Sequence, residues 1–207
     1  MKIKVIIALI LFLFIGGCAS APGYSGPNKV RPYHMEEKLQ YRGFSIAKPP
    51  NNDWYTIVSE QYAENCIIRR DTSSSEHSIF VNVSLSTETA DIENVDDLIL
   101  MLSSQYRTTE RIEILKKDIK PSYKFAGICI EYDIRGQDKT LLDKNGQPYQ
   151  ISYIGFMCVH PTFQGRVVDI GFSERGPIEL FDGLLPDDAK QMMESVHVES
   201  SPKVTSP

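Results

Sequence analysis

Cys158 and His160 are the two residues of this sequence whose types and spacing best suit nucleophilic chemistry. They stand two residues apart in a strand-like segment, so we expect their side chains on one face of that strand. A thiol beside an imidazole can act as a nucleophile or as half of a metal site. No third orienting group and no further metal-ligand spacing accompany the pair. We therefore predict no catalytic, cofactor or metal site, and keep a thiol enzyme or hydrolase centred on this pair as the alternative.

The N-terminus has the pattern of an export signal. A doubly charged start precedes an apolar run from Val5 to Ile15, which is shorter than the roughly twenty residues needed to span a membrane. The sequence Ile15-Gly16-Gly17-Cys18 resembles the bacterial lipobox. The resemblance implies diacylglycerol on the Cys18 thiol, cleavage before Cys18 and acylation of the new amine. An ordinary secretory signal cleaved after Gly17 or near Ala21 is the alternative.

Lipidation of Cys18 predicts where the protein resides. A cysteine that carries two or more acyl chains holds a protein stably on a bilayer. Ala19, rather than Asp, follows Cys18, and by resemblance to lipoproteins of double-membrane bacteria this favours the outer membrane, facing the periplasm. We expect the signal at residues 1–17, the lipidated cysteine and a flexible tether at 18–40, a globular domain at 41–199, and a disordered tail at 200–207.

Composition limits the possible partners. The 207 residues are enough for one domain, and the chain contains 22 basic and 27 acidic residues. Cleavage removes Lys2 and Lys4 but no acid, which leaves 20 basic against 27 acidic residues and a net charge of −7. Such a surface disfavours nucleic acid and anionic lipid. Attachment to the membrane must then come from the lipid anchor.

Three cysteines remain once Cys18 carries lipid, and export would place them where disulfides form. At most one bridge can form among Cys66, Cys129 and Cys158. We favour Cys129 with Cys158, because both lie in neighbouring strand-like segments. Three buried thiols packed as small hydrophobic groups are the open alternative.

The hydrophobic pattern predicts an α+β fold. Apolar residues alternate with polar ones from Ser78 to Ser86 and from Ile128 to Arg135, as in antiparallel strands with one buried face. Asn94 is a predicted cap for a helix whose apolar residues recur at helical spacing. A second helix is expected from Asp187 to Val196. We predict a single α+β domain with a central antiparallel sheet, an amphipathic helix packed across it and a short C-terminal helix.

The order of these elements, with Gly43-Phe44-Ser45-Ile46 followed by Pro49-Pro50, resembles the PsbP-like fold. Within that fold the chain is similar to small lipoproteins of the DcrB type, periplasmic proteins implicated in cell-envelope integrity and phage adsorption. The resemblance would cover about residues 41–198. It implies a PsbP-like domain and an envelope role, without a defined activity.

Two surfaces are candidates for binding. Glu131, Asp133 and Arg135 are expected to share a sheet face that Asp169 joins, forming a polar patch able to meet a basic partner. Trp54-Tyr55 follows a polar loop and is interpreted either as an exposed contact or as a core anchor. The leading hypothesis is a lipid-anchored, non-enzymatic module that binds an envelope component. A carrier of a small apolar ligand, which needs a cavity between sheet and helix, is a further alternative.

Overall fold

The computed structural model describes residues 28–30, 37–58, 64–87 and 89–199. The predicted signal, Cys18 and the predicted tail lie outside these residues. The described part forms two helices, α1 (Val95–Gln105) and α2 (Asp187–Glu194), and eleven strands. The strands are β1 (Asn28–Val30), β2 (Lys38–Tyr41), β3 (Phe44–Ala47), β4 (Trp54–Val58), β5 (Asn65–Arg70), β6 (Ser78–Leu85), β7 (Ile112–Pro121), β8 (Cys129–Leu142), β9 (Pro148–Val159), β10 (Val167–Gly176) and β11 (His197–Val198).

Eight of these strands form one antiparallel sheet in the order β1-β4-β5-β6-β10-β9-β8-β7. The other three form a small sheet in the order β11-β3-β2. Because successive side chains of a strand alternate between the two faces, the register assigns each residue of the large sheet to a face. Face A carries the paired residues Phe156 and Ile170, and face B carries the paired residues Gly155 and Gly171.

The small sheet and α2 pack on face A over the half of the sheet that contains β4, β5, β6 and β10. Trp54 is fully buried there, and its indole Nε1 donates a hydrogen bond to Asp188 Oδ2 of α2 at 2.7 Å. Burial of this many large apolar side chains is the main stabilising contribution of the fold. The core of this half is lined by Phe44, Ile46, Trp54, Ile68, Val81, Val83, Ile170, Phe172, Ala189, Met192 and Met193.

Helix α1 packs on the opposite face, face B, against β7 and β8. Leu98 and Leu102 are its buried residues. The predicted cap is confirmed: Asn94 Oδ1 accepts from the backbone N–H of Asp96 at 2.9 Å and of Asp97 at 3.2 Å. Asp97 Oδ2 accepts in return from the N–H of Asn94 at 3.1 Å, which completes a capping box. The second predicted helix is also present and ends at Glu194, two residues before the expected Val196.

The predicted α+β class, with a central sheet and an amphipathic helix packed across it, is wrong, because the described part is a β-rich fold of two sheets with two short helices. Helix α1 has 11 residues and contacts β7 and β8, the two strands at one edge of the large sheet. The small sheet pairs strands from both ends of the chain, since β11 adds to β3. Local hydrophobic patterns carry no information about such a distant pairing.

The strands begin before the domain start predicted at residue 41. β1 lies before that residue and pairs with β4, and β2 ends at that residue and pairs with β3. Part of the stretch assigned to the tether therefore contributes to both sheets.

Candidate functional site

His160 has a structural environment that leaves no ring nitrogen for catalysis. Its Nδ1 accepts from the backbone N–H groups of Thr162 and Phe163 at 3.1 and 3.0 Å. Its Nε2 lies 2.9 Å from the carbonyl oxygen of Gly43, which can only accept, so Nε2 is assigned as the donor. The side chain is 2% exposed. His160 thus ties the turn after β9 to the chain before β3.

Cys158 is bonded to Cys129 in a disulfide, with the two Cα atoms 4.1 Å apart. The two residues are direct cross-strand partners of β8 and β9, and they are the pair that the sequence analysis favoured. Cys66 is the remaining described cysteine; burial raises the pKa of its thiol to about 12, which keeps it protonated. The predicted alternative of a thiol–imidazole centre therefore lacks both a free thiol at Cys158 and a free nitrogen at His160.

Trp54 and Tyr55 are core residues. Trp54 is fully buried and Tyr55 is 2% exposed, so neither offers a contact surface. Of the two interpretations made from the sequence, core anchoring is the one that the burial supports.

The candidate site lies at the other end of face A, over β7, β8 and β9. We call it the face A cleft. Ile154 and Phe156 of β9 are partly buried there, and Phe156 contacts Phe125 edge-on with ring centroids 5.4 Å apart. The cleft has a volume of about 210 Å³. It is lined by Asp118, Lys120, Glu131, Tyr132, Asp133, Ile154, Gly155 and Phe156.

Charged side chains rim the cleft in pairs. Lys120 Nζ lies 2.9 Å from Glu131 Oε1, and Lys116 Nζ lies 2.8 Å from Asp133 Oδ2. Arg135 also pairs with Asp133. Burial alone would raise the pKa of Asp133, but the hydrogen bonds from Arg135 and Lys116 hold it below its ordinary value. Since these acids are paired with bases, the predicted polar patch of Glu131, Asp133 and Arg135 carries charges of both signs.

No protein-family model matches the chain, and no curated protein matches it. Among solved structures, the chain is similar to a protein of Bacteroides thetaiotaomicron whose crystal structure was determined at 1.50 Å resolution. The sequence identity is 12% and the TM-score is 0.40. The match covers 79% of this chain and 48% of the other, so the chain spans about half the length of the protein that it matches.

Asp169 does not join the polar patch, contrary to the prediction. Its cross-strand partner is Met157, whereas Glu131 pairs with Phe156, so Asp169 lies on face B. There it accepts a hydrogen bond from Tyr132 Oη at 2.8 Å. Burial raises the pKa of Asp169 from 3.8 to about 6, and the Tyr132 hydrogen bond opposes part of this rise.

Tyr132 and Tyr106 lie near this carboxyl group and Tyr153 packs against Tyr106, and sequence reasoning did not single out these three tyrosines. The ring centroids of Tyr106 and Tyr132 are 6.3 Å apart, and those of Tyr106 and Tyr153 are 5.1 Å apart. At these distances the rings pack against each other and leave no space between them for a cation. Every second residue of β8 and of β9 projects from the same face of the sheet, and this period places Tyr132 and Tyr153 on one face.

Within the described ranges, no three His, Cys, Asp or Glu side chains are arranged to hold a metal ion. Neither α1 nor α2, the helices of the described chain, is long and apolar enough to cross a membrane.

Proposed function

We propose that this protein is a lipid-anchored, non-enzymatic binding module of the cell envelope that holds a protein partner on the face A cleft. The face A cleft is the observation that carries the proposal. It combines a partly exposed apolar floor, Ile154 and Phe156, with a rim of charged groups. Apolar centres with polar rims are the usual anatomy of protein interfaces.

The rim favours a particular kind of partner. The rim contains three bases and three acids, Asp118, Glu131 and Asp133. Two of the acids, Asp118 and Asp133, lie directly opposite each other on neighbouring strands. A segment that inserts one apolar side chain and carries charges of both signs beside it would match this pattern. A nucleic acid would instead need a surplus of positive charge.

The alternatives from the sequence have less support. Cys158 is committed to a disulfide and His160 to backbone groups, so the thiol enzyme has no reacting pair. The carrier of an apolar ligand needs room between α1 and the sheet. That interface is filled by side chains with at most 6% exposure: Leu98, Leu102, Ile130, Ile134, Met157 and Val167.

The anchor is tested separately from the cleft. Cys18 lies ten residues before Asn28, where the first described strand begins. Labelling of cells with a radioactive fatty acid should mark the wild-type chain and fail to mark the Cys18→Ser variant. Equal labelling of the two chains would remove the lipid anchor from the proposal, but would leave the binding role of the cleft untouched.

The cleft is tested by photo-crosslinking in cells. A benzophenone amino acid at Lys120, on the rim, should capture one reproducible protein, and the same probe at Leu100 on α1 should not. The variant Phe156→Ser, which removes the apolar floor, should abolish capture from position 120. The captured protein, once purified, should bind the wild-type chain directly and bind Phe156→Ser more weakly. Capture that survives Phe156→Ser would overturn the proposal.

A further inference from the structure

β7 forms one edge of the large sheet. It pairs with β8 on one side, and no other described strand pairs with its opposite side. In an antiparallel pair, residues bonded to the neighbouring strand alternate with residues whose N–H and C=O point away from it. The Ser122 N–H donates to the Cys129 carbonyl oxygen at 2.9 Å, so the even-numbered residues after the bulge in β7 face β8. Lys117, Ile119 and Pro121 therefore direct their backbone groups to the open edge.

The side chains along this edge are open to solvent. Most of the ten residues of β7 are exposed. Two large apolar side chains flank the open stretch, Leu115 with 58% exposure and Tyr123 with 95% exposure. Each stands four residues from Ile119. An edge with free backbone groups and exposed apolar side chains is a template for pairing with another strand.

The charges of β7 select a second copy of the same strand in a single register. In a two-fold antiparallel pair, the residue at the axis opposes its own copy. An axis at any of the lysines, or at Asp118, sets like charges directly opposite each other, which is unfavourable. An axis at Pro121 opposes two residues that have no N–H to donate. Within the open stretch, an axis at Ile119 avoids both problems.

The register centred on Ile119 is complementary along its length. Asp118, which forms no salt bridge with a described residue, lies opposite Lys120 of the second copy, and the same pair recurs across the axis. Ile119 opposes its own copy and exchanges both backbone hydrogen bonds with it. The Lys117 N–H donates to the Pro121 carbonyl in each direction, so the missing N–H of Pro121 leaves only a carbonyl at the rim of the pair.

We propose that β7 is a homodimerisation edge, at which two copies of this chain join their large sheets about a two-fold axis at Ile119. The lysines that keep other registers apart also protect the edge against unrelated strands. This inference goes beyond the proposed function, since it concerns the sheet edge and not a partner in the face A cleft. A two-fold axis through paired strands keeps face A continuous, so the dimer presents two clefts on the same side.

Sedimentation equilibrium of the purified full chain in detergent tests the association. Wild type should reach the mass of two chains. Asp118→Lys sets lysine opposite lysine twice and should weaken dimerisation at least about tenfold. An equimolar mixture of Asp118→Lys with Lys120→Asp restores opposite charges at both pairs and should dimerise again. Asp53→Lys makes the same charge change at an exposed position outside β7 and should dimerise like wild type.

Cysteine pairs test the register. Positions 118 and 120 of different copies form a non-hydrogen-bonded pair with Cα atoms about 4.5 Å apart, within the range of a disulfide. A mixture of Asp118→Cys with Lys120→Cys should therefore give a covalent dimer under mild oxidation. Either variant alone places its two new cysteines about 8 Å apart and should give none, like wild type. The mass of the product, twice that of the chain, distinguishes it from a different protein held in the cleft.

Two results would overturn the dimer edge. A wild-type chain that sediments as a monomer at about 100 μM has no such association. If Asp118→Lys leaves the dimer intact, or the mixed cysteine variants form no disulfide, the copies associate through another surface. Neither result bears on the face A cleft, which Phe156→Ser tests by itself.

Discussion

Replacing Asp169 by Asn should stabilise the protein at neutral pH. Burial raises the pKa of Asp169 from 3.8 to about 6, so the folded state favours the protonated carboxyl. Because the folded pKa lies above the unfolded one, stability is lost as pH rises from about 4 to about 6 and stays lower above that range. The pKa difference corresponds to about 3 kcal/mol of unfolding free energy. Asn cannot ionise, and its Oδ1 can still accept from Tyr132.

Urea denaturation from about pH 4 to about pH 8 measures this effect. The gain in unfolding free energy of Asp169→Asn over wild type should grow as the pH rises from about 4 to about 6, and should then level off at up to about 3 kcal/mol. Asp53→Asn, at an exposed position, controls for the change in net charge. A gain that is constant across the window, or that shrinks as pH rises, would refute the assignment of a buried, raised carboxyl to Asp169.

Three further predictions concern stability. Replacing Cys129 and Cys158 together by Ala should lower the unfolding free energy measured by urea denaturation by about 3.5 kcal/mol, since the bridge spans 29 residues. A reductant that leaves the unfolding free energy of wild type unchanged would contradict this. Arg111→Leu should cost about 3 kcal/mol of unfolding free energy near neutral pH, because fully buried Asp138 loses the two hydrogen bonds that Arg111 donates to its Oδ2. Burial alone would raise the pKa of Asp138, but Arg111 holds this pKa low. The cost of Arg111→Leu should therefore shrink in acid, where Asp138 becomes protonated. The double variant Arg111→Leu with Asp138→Leu should cost less than Arg111→Leu alone. Asn94→Ala should cost about 1 kcal/mol, read as a lower melting temperature, and no change would refute the capping role.

The strands with one buried face were predictable from the sequence. In β6, Ile79, Val81, Val83 and Leu85 are all buried, as their alternation with polar residues indicated. β8 shows the same agreement, with every second residue buried from Ile130 to Asp138. A half-buried strand imprints its period on the sequence, so these elements needed no tertiary information.

The fold class was not predictable in the same way. β2 and β3 have four residues each and β11 has two, which is too short for a period to be read. Phe44, Ser45 and Ile46 are all buried, so β3 does not alternate at all. These short strands form the small sheet only because α2 and the large sheet cover them. The class therefore depended on long-range pairing that single segments do not encode.

The polar patch was predictable only in part, for a reason of register. Glu131, Asp133 and Arg135 do share face A, because they alternate along one strand. Asp169 was placed with them by assuming a pairing that is one residue out of register. In a sheet such a shift moves a side chain to the other face, so an error of one residue separated Asp169 from the patch.

The position of the face A cleft follows from how the faces of the large sheet are covered. The small sheet and α2 cover face A over β4, β5, β6 and β10, and α1 covers face B over β7 and β8. The face A cleft therefore lies on the part of face A that the small sheet and α2 leave open. β9 serves both faces at this point, since Ile154 and Phe156 form the cleft floor and Gly155 leaves room for the Tyr132 side chain on face B. Because three consecutive residues serve both faces, a larger side chain at Gly155 would displace Tyr132 on face B and disturb the strand that carries the cleft floor.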